Sequence, residues 1–360
     1  MSARCHEGLK VLIVGNVFGR DFGADFYMIM PKLLHGFIRL GCNVNVFNDR
    51  EVARASTPIL STITGWAAAN RKLIATCRNF RPDLLLLGHC ELIQNETLAK
   101  IRNENPDLRI AYRNVDALTD ATNRSRLARR ADVADGIFVT TAAPIHGLLA
   151  EKAAKVHFIP NPVDPAIDTG RAFARSDQDY DVFFAAGVRD NRVDIVEQAV
   201  GRVPRLRADI RCNPGKPPVF GAEYLVALTN ARMGISISRP DDVYLYASDR
   251  MSQLLGNGLL TFVSRTTGFQ DLFGEEQVVF FSSIDEIVDK LRHFARNDDQ
   301  RRAIAKAGWA AAHSMFASDL VAKYILERSF GEQPSETYHW QQEISTPVDS
   351  AQRPNESMVR

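Results

Sequence analysis

Residues Tyr244 to Phe269 read Tyr-Leu-Tyr-Ala-Ser-Asp-Arg-Met-Ser-Gln-Leu-Leu-Gly-Asn-Gly-Leu-Leu-Thr-Phe-Val-Ser-Arg-Thr-Thr-Gly-Phe. The middle of this stretch predicts a short helix. Ser248, Asp249 and Arg250 occupy its first turn, Met251, Leu254 and Leu255 form its apolar stripe, and Asn257-Gly258 stops it. A buried strand from Leu259 to Val263 follows. The first turn of a helix has unpaired backbone N–H groups and carries about half a positive charge, so with Ser248 and Arg250 beside it this end suits a phosphate or diphosphate. The plainer reading is ordinary capping by Ser248 or Asp249 at one end and by Asn257-Gly258 at the other. Residue pattern alone leaves both open.

Upstream, Tyr180 to Phe184 is a strand that runs through a turn holding Gly187, Arg189 and Arg192 into a helix ending near Val200. Arginine grips phosphate with two parallel N–H groups, so Arg189 and Arg192 are candidate clamps for a diphosphate, with a solvated surface role as the alternative. A strand at Ala208 to Cys212, a helix at Glu223 to Asn230 and a strand at Met233 to Ser238 continue the alternation. Downstream come a strand at Val278 to Phe281 and amphipathic helices at Asp298 to Met315 and Ala317 to Phe330. Strand-helix alternation of this kind predicts a parallel, doubly wound α/β sheet.

From Arg250 to Gly258 the spacing Arg-x-x-Gln-x-x-x-x-Gly resembles the Arg-x-x-Glu-x-x-x-x-Gly signature in the C-terminal domain of GT-B glycosyltransferases, especially the spore-maturation-protein-like group. The likeness spans about Tyr180 to Phe330 and extends to Gly268-Phe269, Asp271-Leu272-Phe273 and Ala307-Gly308-Trp309. It implies two Rossmann-like domains facing across a cleft, with a nucleotide sugar held by the second and a terminal helix that crosses back to brace the first. Tyr246, Ser248, Asp249, Arg250, Gln253, Asn257 and Gly258, with Gly187, Arg189 and Arg192, are the donor-binding residues it suggests. One departure matters: Gln253 stands where the family usually has the glutamate that accepts hydrogen bonds from the ribose. A neutral amide contributes about 1 kcal/mol to such a bond against about 1.5 to 3 for a carboxylate, so ribose binding is expected to be weaker.

The first half predicts a second α/β domain. Lys10 to Val14 is a strand, followed by a helix from about Ala24 to Leu40 and a strand at Asn43 to Phe47. Gly15, Gly19 and Gly23 are spaced by four and so depart from the Gly-x-Gly-x-x-Gly dinucleotide fingerprint. After a helix at Ser61 to Phe80, the run Leu84 to Leu87 is a buried strand, with His89 just past its end. A helix around Glu96 to Asn103 and a strand from Arg109 repeat the pattern, and Asp116 stands just past that strand's end. Open α/β sheets keep ligands at the carboxyl ends of their strands, so His89 and Asp116 are equal candidates for a base that deprotonates a sugar hydroxyl. Arg124, Arg126, Arg129 and Arg130 fall on one short helix; they read as a solvated face or as a contact for anionic lipid headgroups or a charged acceptor. Further strands at Gly136 to Thr140 and Val156 to Ile159 flank a helix containing Pro144 to Lys152. The segment Ile159-Pro-Asn-Pro-Val-Asp-Pro165 forces the chain to bend. The expected division is an acceptor-side domain at 1–165, a linker at 166–179, a donor domain at 180–330 and a disordered tail at 331–360.

Length and charge narrow the function. A chain of 360 residues with 45% hydrophobic content has material for two cores, and a net charge of +1 supplies no global field for nucleic acid. Five cysteines without a Cys-x-x-Cys pair argue against a zinc site and a disulfide framework and point to reduced thiols. With no membrane-length apolar run and no signal-peptide core, the expected location is cytoplasmic, with peripheral contact on the inner membrane through the four arginines. Asp241-Asp242 and Asp298-Asp299 read as turn and capping pairs rather than metal ligands. The resemblance implies metal-independent sugar transfer, without a cofactor, from a nucleotide sugar to a hydroxyl of a surface glycan such as lipopolysaccharide, capsule or glycoprotein. The alternatives are a sugar-nucleotide 2-epimerase of the same fold and a non-catalytic nucleotide-sugar-binding protein, the last kept open by Gln253.

Overall fold

The computed structural model describes residues 6–17, 23–59, 61–142, 155–212 and 215–342. Gly19, the expected helix at Pro144 to Lys152 and the tail beyond 342 lie outside them. The chain divides into two compact units. One runs to Thr169 and includes Phe220–Ala222 and Phe316–Thr337; the other comprises Gly170–Val219, Glu223–Met315 and the residues from Tyr338.

In the first unit, strands β1 (Lys10–Val14), β2 (Asn43–Phe47), β3 (Leu84–Leu87), β4 (Arg109–Asn114), β5 (Gly136–Val139) and β6 (Lys155–Phe158) form a parallel sheet in the order β2-β1-β3-β4-β5-β6. Apolar runs such as Leu84 to Leu87 are buried throughout, as required of strands covered on both faces. Helices α1 (Ile29–Arg39), α2 (Asp49–Ala55), α3 (Thr62–Phe80), α4 (Asn95–Glu104) and α5 (Ala121–Ala131) belong to this unit. The strand order reverses between β1 and β3. Gly15 and His89, which follow these two strands, therefore stand at the switch point of the sheet, and a Cβ on Gly15 would lie 3.1 Å from the His89 carbonyl oxygen.

The second unit has strands β7 (Tyr180–Ala185), β8 (Ala208–Arg211), β9 (Ala231–Ser236), β10 (Leu260–Ser264) and β11 (Val279–Phe281) in the order β11-β10-β9-β7-β8, again all parallel. Its helices are α6 (Asn191–Gly201), α7 (Gly221–Thr229, whose first residues group with the other unit), α8 (Asp249–Gly256), α9 (Ile284–Arg296) and α10 (Asp298–Met315). The switch point here lies between β7 and β9. Helix α8 presses directly on β9: a Cβ on Gly234 would sit 2.3 Å from Leu254 Cδ2, so any side chain at this strand position would displace Leu254.

Two expectations about boundaries are corrected. Residues 316–337, including helix α11 (Ser318–Ser329), group with the first unit, in line with the terminal helix that the resemblance carries back to it, so the bound expected at 330 is corrected to Met315. The reason is a set of specific bonds. Val163 N–H donates to Phe316 O at 2.7 Å and Ser318 N–H to Val163 O at 2.9 Å, while Asp164, fully buried, accepts from Arg39 at 2.6 Å and from the Ser318 hydroxyl at 2.7 Å. Asp168, inside the expected linker, is buried in an ion pair with Lys32 of α1. The tail is also shorter than expected, because Tyr338 and Trp340 are buried and a short helix, α12 (His339–Gln342), forms where a loose chain was predicted. Aromatic side chains bury enough surface to hold a few polar neighbours in place. The described cysteines, Cys42, Cys77, Cys90 and Cys212, carry free thiols.

Candidate functional site

Helix α8 begins where the loop after β9 turns back over the carboxyl edge of the second sheet. Ser238 Oγ accepts the Ser248 N–H at 2.9 Å and so fixes the start of the helix. The same loop is tied to the segment after β10: Leu245 N–H donates to Thr267 O at 2.6 Å and the Tyr244 hydroxyl to Asp271 Oδ2 at 2.8 Å. Ser248 occupies the N-cap position with an extended backbone, yet its hydroxyl makes no bond to the first-turn N–H groups. It accepts from Arg250 Nη1 at 3.4 Å instead. Tyr246, two residues earlier, is buried.

Arg250 reaches inward across the switch point. Its Nε and Nη2 donate to Ala185 O, the last residue of β7, at 2.9 and 2.7 Å, and Nη1 donates to Ile237 O, just past β9, at 2.7 Å. Its guanidinium carbon lies 4.6 Å from the centre of the Phe184 ring. All these acceptors are neutral, and among the described residues Arg250 has no carboxylate partner. Burial, followed by the repulsion of Arg192, pushes its pKa down to about 10, which leaves it charged at neutral pH.

Around it the charges are unevenly matched. Asp190, the N-cap of α6, accepts the Arg192 N–H at 3.1 Å, and pairs with the Arg192 guanidinium at 2.8 Å and with Arg239. The hydrogen bond from Arg192 holds the Asp190 carboxyl well below the usual range. Arg192 and Arg239 thus share one carboxylate at the end of β7 and β9 while Arg250 has none, a local excess of positive charge beside a helix N-terminus. Arg239 was not among the residues predicted from sequence, although an arginine directly after a strand end is the signal that marks it.

Other expected donor residues fall elsewhere. Arg189, in the loop before α6, pairs with Asp194 at 2.6 Å and Glu197 at 2.9 Å on that helix, which uses its fork for structural contacts. Gly187 is exposed, with open space around its α-carbon. Gln253 is 5% exposed; its Nε2 donates to Asp249 Oδ2 at 2.8 Å and its Oε1 accepts the Tyr224 hydroxyl at 2.5 Å. The amide that was expected to meet a ribose is thereby engaged at both ends inside the protein. Asn257 and Gly258 lie at the opposite end of α8, about 12 Å along its axis from Ser248. There Asn257 Oδ1 accepts the Gly170 N–H at 3.0 Å and a Cβ on Gly258 would strike Phe173, so both serve packing of the 170–173 segment.

In the first unit His89 stands exposed after β3, with Nδ1 3.4 Å from Glu91 Oε1, and Glu91 pairs in turn with Arg50 at 2.8 Å. The hydrogen bond to His89 keeps the Glu91 carboxyl well below its ordinary range. Asp116 Oδ2 lies 4.0 Å from Arg126. The arginine helix is not one face. Arg130 is 3% exposed and donates to Cys90 O, Ile93 O and Asn95 Oδ1, and Arg124 donates to Leu118 O and Thr119 O. Buried Arg130 is therefore withdrawn from the membrane contact expected of the four, whereas Arg124 and Arg126 are half-buried and Arg129 is exposed. Among the described residues no group of three His, Cys, Asp or Glu is arranged to hold a metal ion, and no helix is long and apolar enough to cross a membrane.

Comparison with curated proteins finds no match. Among solved structures the chain is similar to sucrose-phosphate synthase from Thermosynechococcus elongatus, with a TM-score of 0.58 at 12% identity over 89% of this chain and 98% of that one. HepE from Anabaena, solved with UDP and glucose, gives 0.57 at 12% identity over 89% and 98%. A glycosyltransferase from Rickettsia africae gives 0.59 at 8% over 89% and 98%. The chain has the fold of the GT-B glycosyltransferases, two Rossmann-like units each built on a parallel sheet, and its residues 191–327 match a family model described as glycosyl transferase-like.

Proposed function

We propose that the protein is a glycosyltransferase that moves a sugar from a nucleotide sugar, held by the second unit, to a hydroxyl of an acceptor held by the first. The observation that carries this reading is Arg250, a cation without a carboxylate, fastened across the switch point of the second sheet beside the N-terminus of α8. In transfer the acceptor oxygen forms a bond to the anomeric carbon, the bond from that carbon to the diphosphate breaks, and the electron pair departs with the nucleoside diphosphate. Arg250, Arg192 and the α8 amides stabilise that developing charge, so no metal ion or cofactor is required in this scheme. The acceptor proton goes to His89 Nε2, with Glu91 at Nδ1 orienting the ring. Asp116 is assigned no proton transfer, because its carboxylate faces Arg126.

The finer reading places the enzyme in the cytoplasm with a surface-glycan acceptor, which rests on the family resemblance of Arg250 to Gly258. A thermal-shift panel of UDP, GDP, ADP, TDP and CMP sugars tests the donor, since a ligand of the folded form raises its melting temperature by mass action. UDP sugars come first because HepE has been solved with UDP. No stabilisation by any member would overturn the reading. A second reading, epimerisation of the sugar nucleotide, has the support of a neighbour described as a putative UDP-N-acetylglucosamine 2-epimerase, with a TM-score of 0.53 at 13% identity over 91% of this chain and 98% of that one. An isomerised sugar formed without acceptor would favour it.

A further inference from the structure

Beside the carboxyl end of β3 is a pocket open to solvent, lined by Gly88, Glu91, Tyr112, Arg126, Arg129 and Arg130. Its one carboxylate among the described residues, Glu91, is already matched by Arg50 and His89. Arg130 forms the buried wall and spends its donors on neutral oxygens, so its charge has no counterion there. Arg129 is exposed, and its guanidinium makes no hydrogen bond or ion pair among the described residues. Arg126 reaches Asp116 only at 4.0 Å. Among the described residues the pocket is therefore a fixed cation, Arg130, with Arg129 unpaired at its mouth and Arg126 only loosely matched by Asp116, a local excess of positive charge.

We propose that this pocket binds a phosphate group carried by the acceptor. A single carboxylate would offset one of the three cations, whereas a phosphate monoester carries about −1.5 to −2 at neutral pH and presents three strong acceptor oxygens to paired guanidinium forks. His89 neighbours the same lining through Glu91, which puts the proposed base beside the bound group. That the phosphate belongs to an acceptor rests on the transfer reading; that the pocket holds phosphate does not.

The test uses the full chain and inorganic phosphate as probe, followed by thermal shift and calorimetry, with UDP titrated separately. Phosphate binding should weaken at least about tenfold in Arg129→Ala and in Arg126→Ala, each of which removes charge-assisted bonds. It should be unchanged in Arg78→Ala, a surface arginine of the same unit paired with Glu104. UDP binding should be unaffected in all three. Phosphate binding equal in the wild type and in both pocket variants, or absent from the wild type, overturns the proposal even where UDP still binds. Failure of UDP alone to bind would instead count against the transfer reading. Vesicles containing phosphatidic acid, whose headgroup is a phosphate monoester, set against neutral phosphatidylcholine vesicles, identify the source: arginine-dependent capture means a lipid-borne phosphate, and binding of the soluble probe without capture means a soluble phosphorylated acceptor.

Discussion

Arg250 and Ala185, 65 residues apart, are joined by two hydrogen bonds, from Nε at 2.9 Å and from Nη2 at 2.7 Å to one carbonyl oxygen. A forked donor is needed to make both while a third bond reaches Ile237 O. Lysine keeps the charge but not the fork. Arg250→Lys is expected to lower affinity for a nucleoside diphosphate about tenfold and to reduce stability by about 1 to 3 kcal/mol, from the carbonyl left unpaired. Calorimetric titration with UDP and urea unfolding measure the two effects; unchanged affinity would remove Arg250 from the donor site.

The Gln253 amide sits between Asp249 and the Tyr224 hydroxyl. In Gln253→Glu the donor to Asp249 is lost and two carboxylates meet at hydrogen-bond distance, which raises the affinity of the pair for a proton above that in the unfolded chain. The folded state of the variant is therefore favoured at low pH and penalised as pH rises. Restoring the family residue should cost about 1 to 3 kcal/mol at pH 8 and less at pH 5, by urea unfolding. A variant equally stable at both pH values would show that the two groups do not interact.

His89 and Glu91 are expected to divide their effects in kinetics. His89→Asn should lower kcat by about 100-fold with little change in KM, the range for loss of a general base. Glu91→Gln, which keeps the shape but removes the charge next to Nδ1, should lower kcat less than His89→Asn does, since it loosens the orientation of the ring but leaves the base in place. A full-rate His89→Asn enzyme would send the search for the base elsewhere on this edge.

Lys32 and Asp168 form an ion pair at 2.8 Å with both side chains fully buried. Removing one partner leaves a buried charge alone, so Lys32→Met and Asp168→Asn should each destabilise by about 3 to 5 kcal/mol, while the two together should cost less than their sum. Denaturant midpoints of the three variants decide it, and strict additivity would show that the pair is not coupled.

Asp164 should contribute to the acid sensitivity of the fold. Burial acts to raise its pKa, but hydrogen bonds from Arg39, Ser318 and Ala166 prevail and hold it below the ordinary value of 3.8. A carboxylate with a depressed folded-state pKa contributes stability above its unfolded pKa and loses it as pH falls further. The wild type should accordingly lose stability more steeply between pH 5 and pH 2.5, about the interval spanning that unfolded value, than Asp164→Asn, which starts lower. Parallel curves for the two would contradict this assignment.

The sequence by itself determined both sheets, because strand and helix periodicities are local properties: Leu84 to Leu87, Tyr180 to Phe184 and the helix Asp298–Met315 were legible from their own residues. It also determined the helix that Arg250 opens, and the strand ends where His89 and Asp116 stand. Tertiary structure decided what each polar side chain meets. Nothing near Gln253 in the chain announces Tyr224, 29 residues away, nor does the run of arginines on α5 distinguish buried Arg130 from free Arg129. The grouping of residues 316–337 with the first unit likewise depends on Arg39, Val163 and Asp164, more than 120 positions upstream of Ser318 or its neighbours. Hydrophobic spacing is written along the chain, whereas the partner of a donor or a charge is fixed only when distant segments fold together.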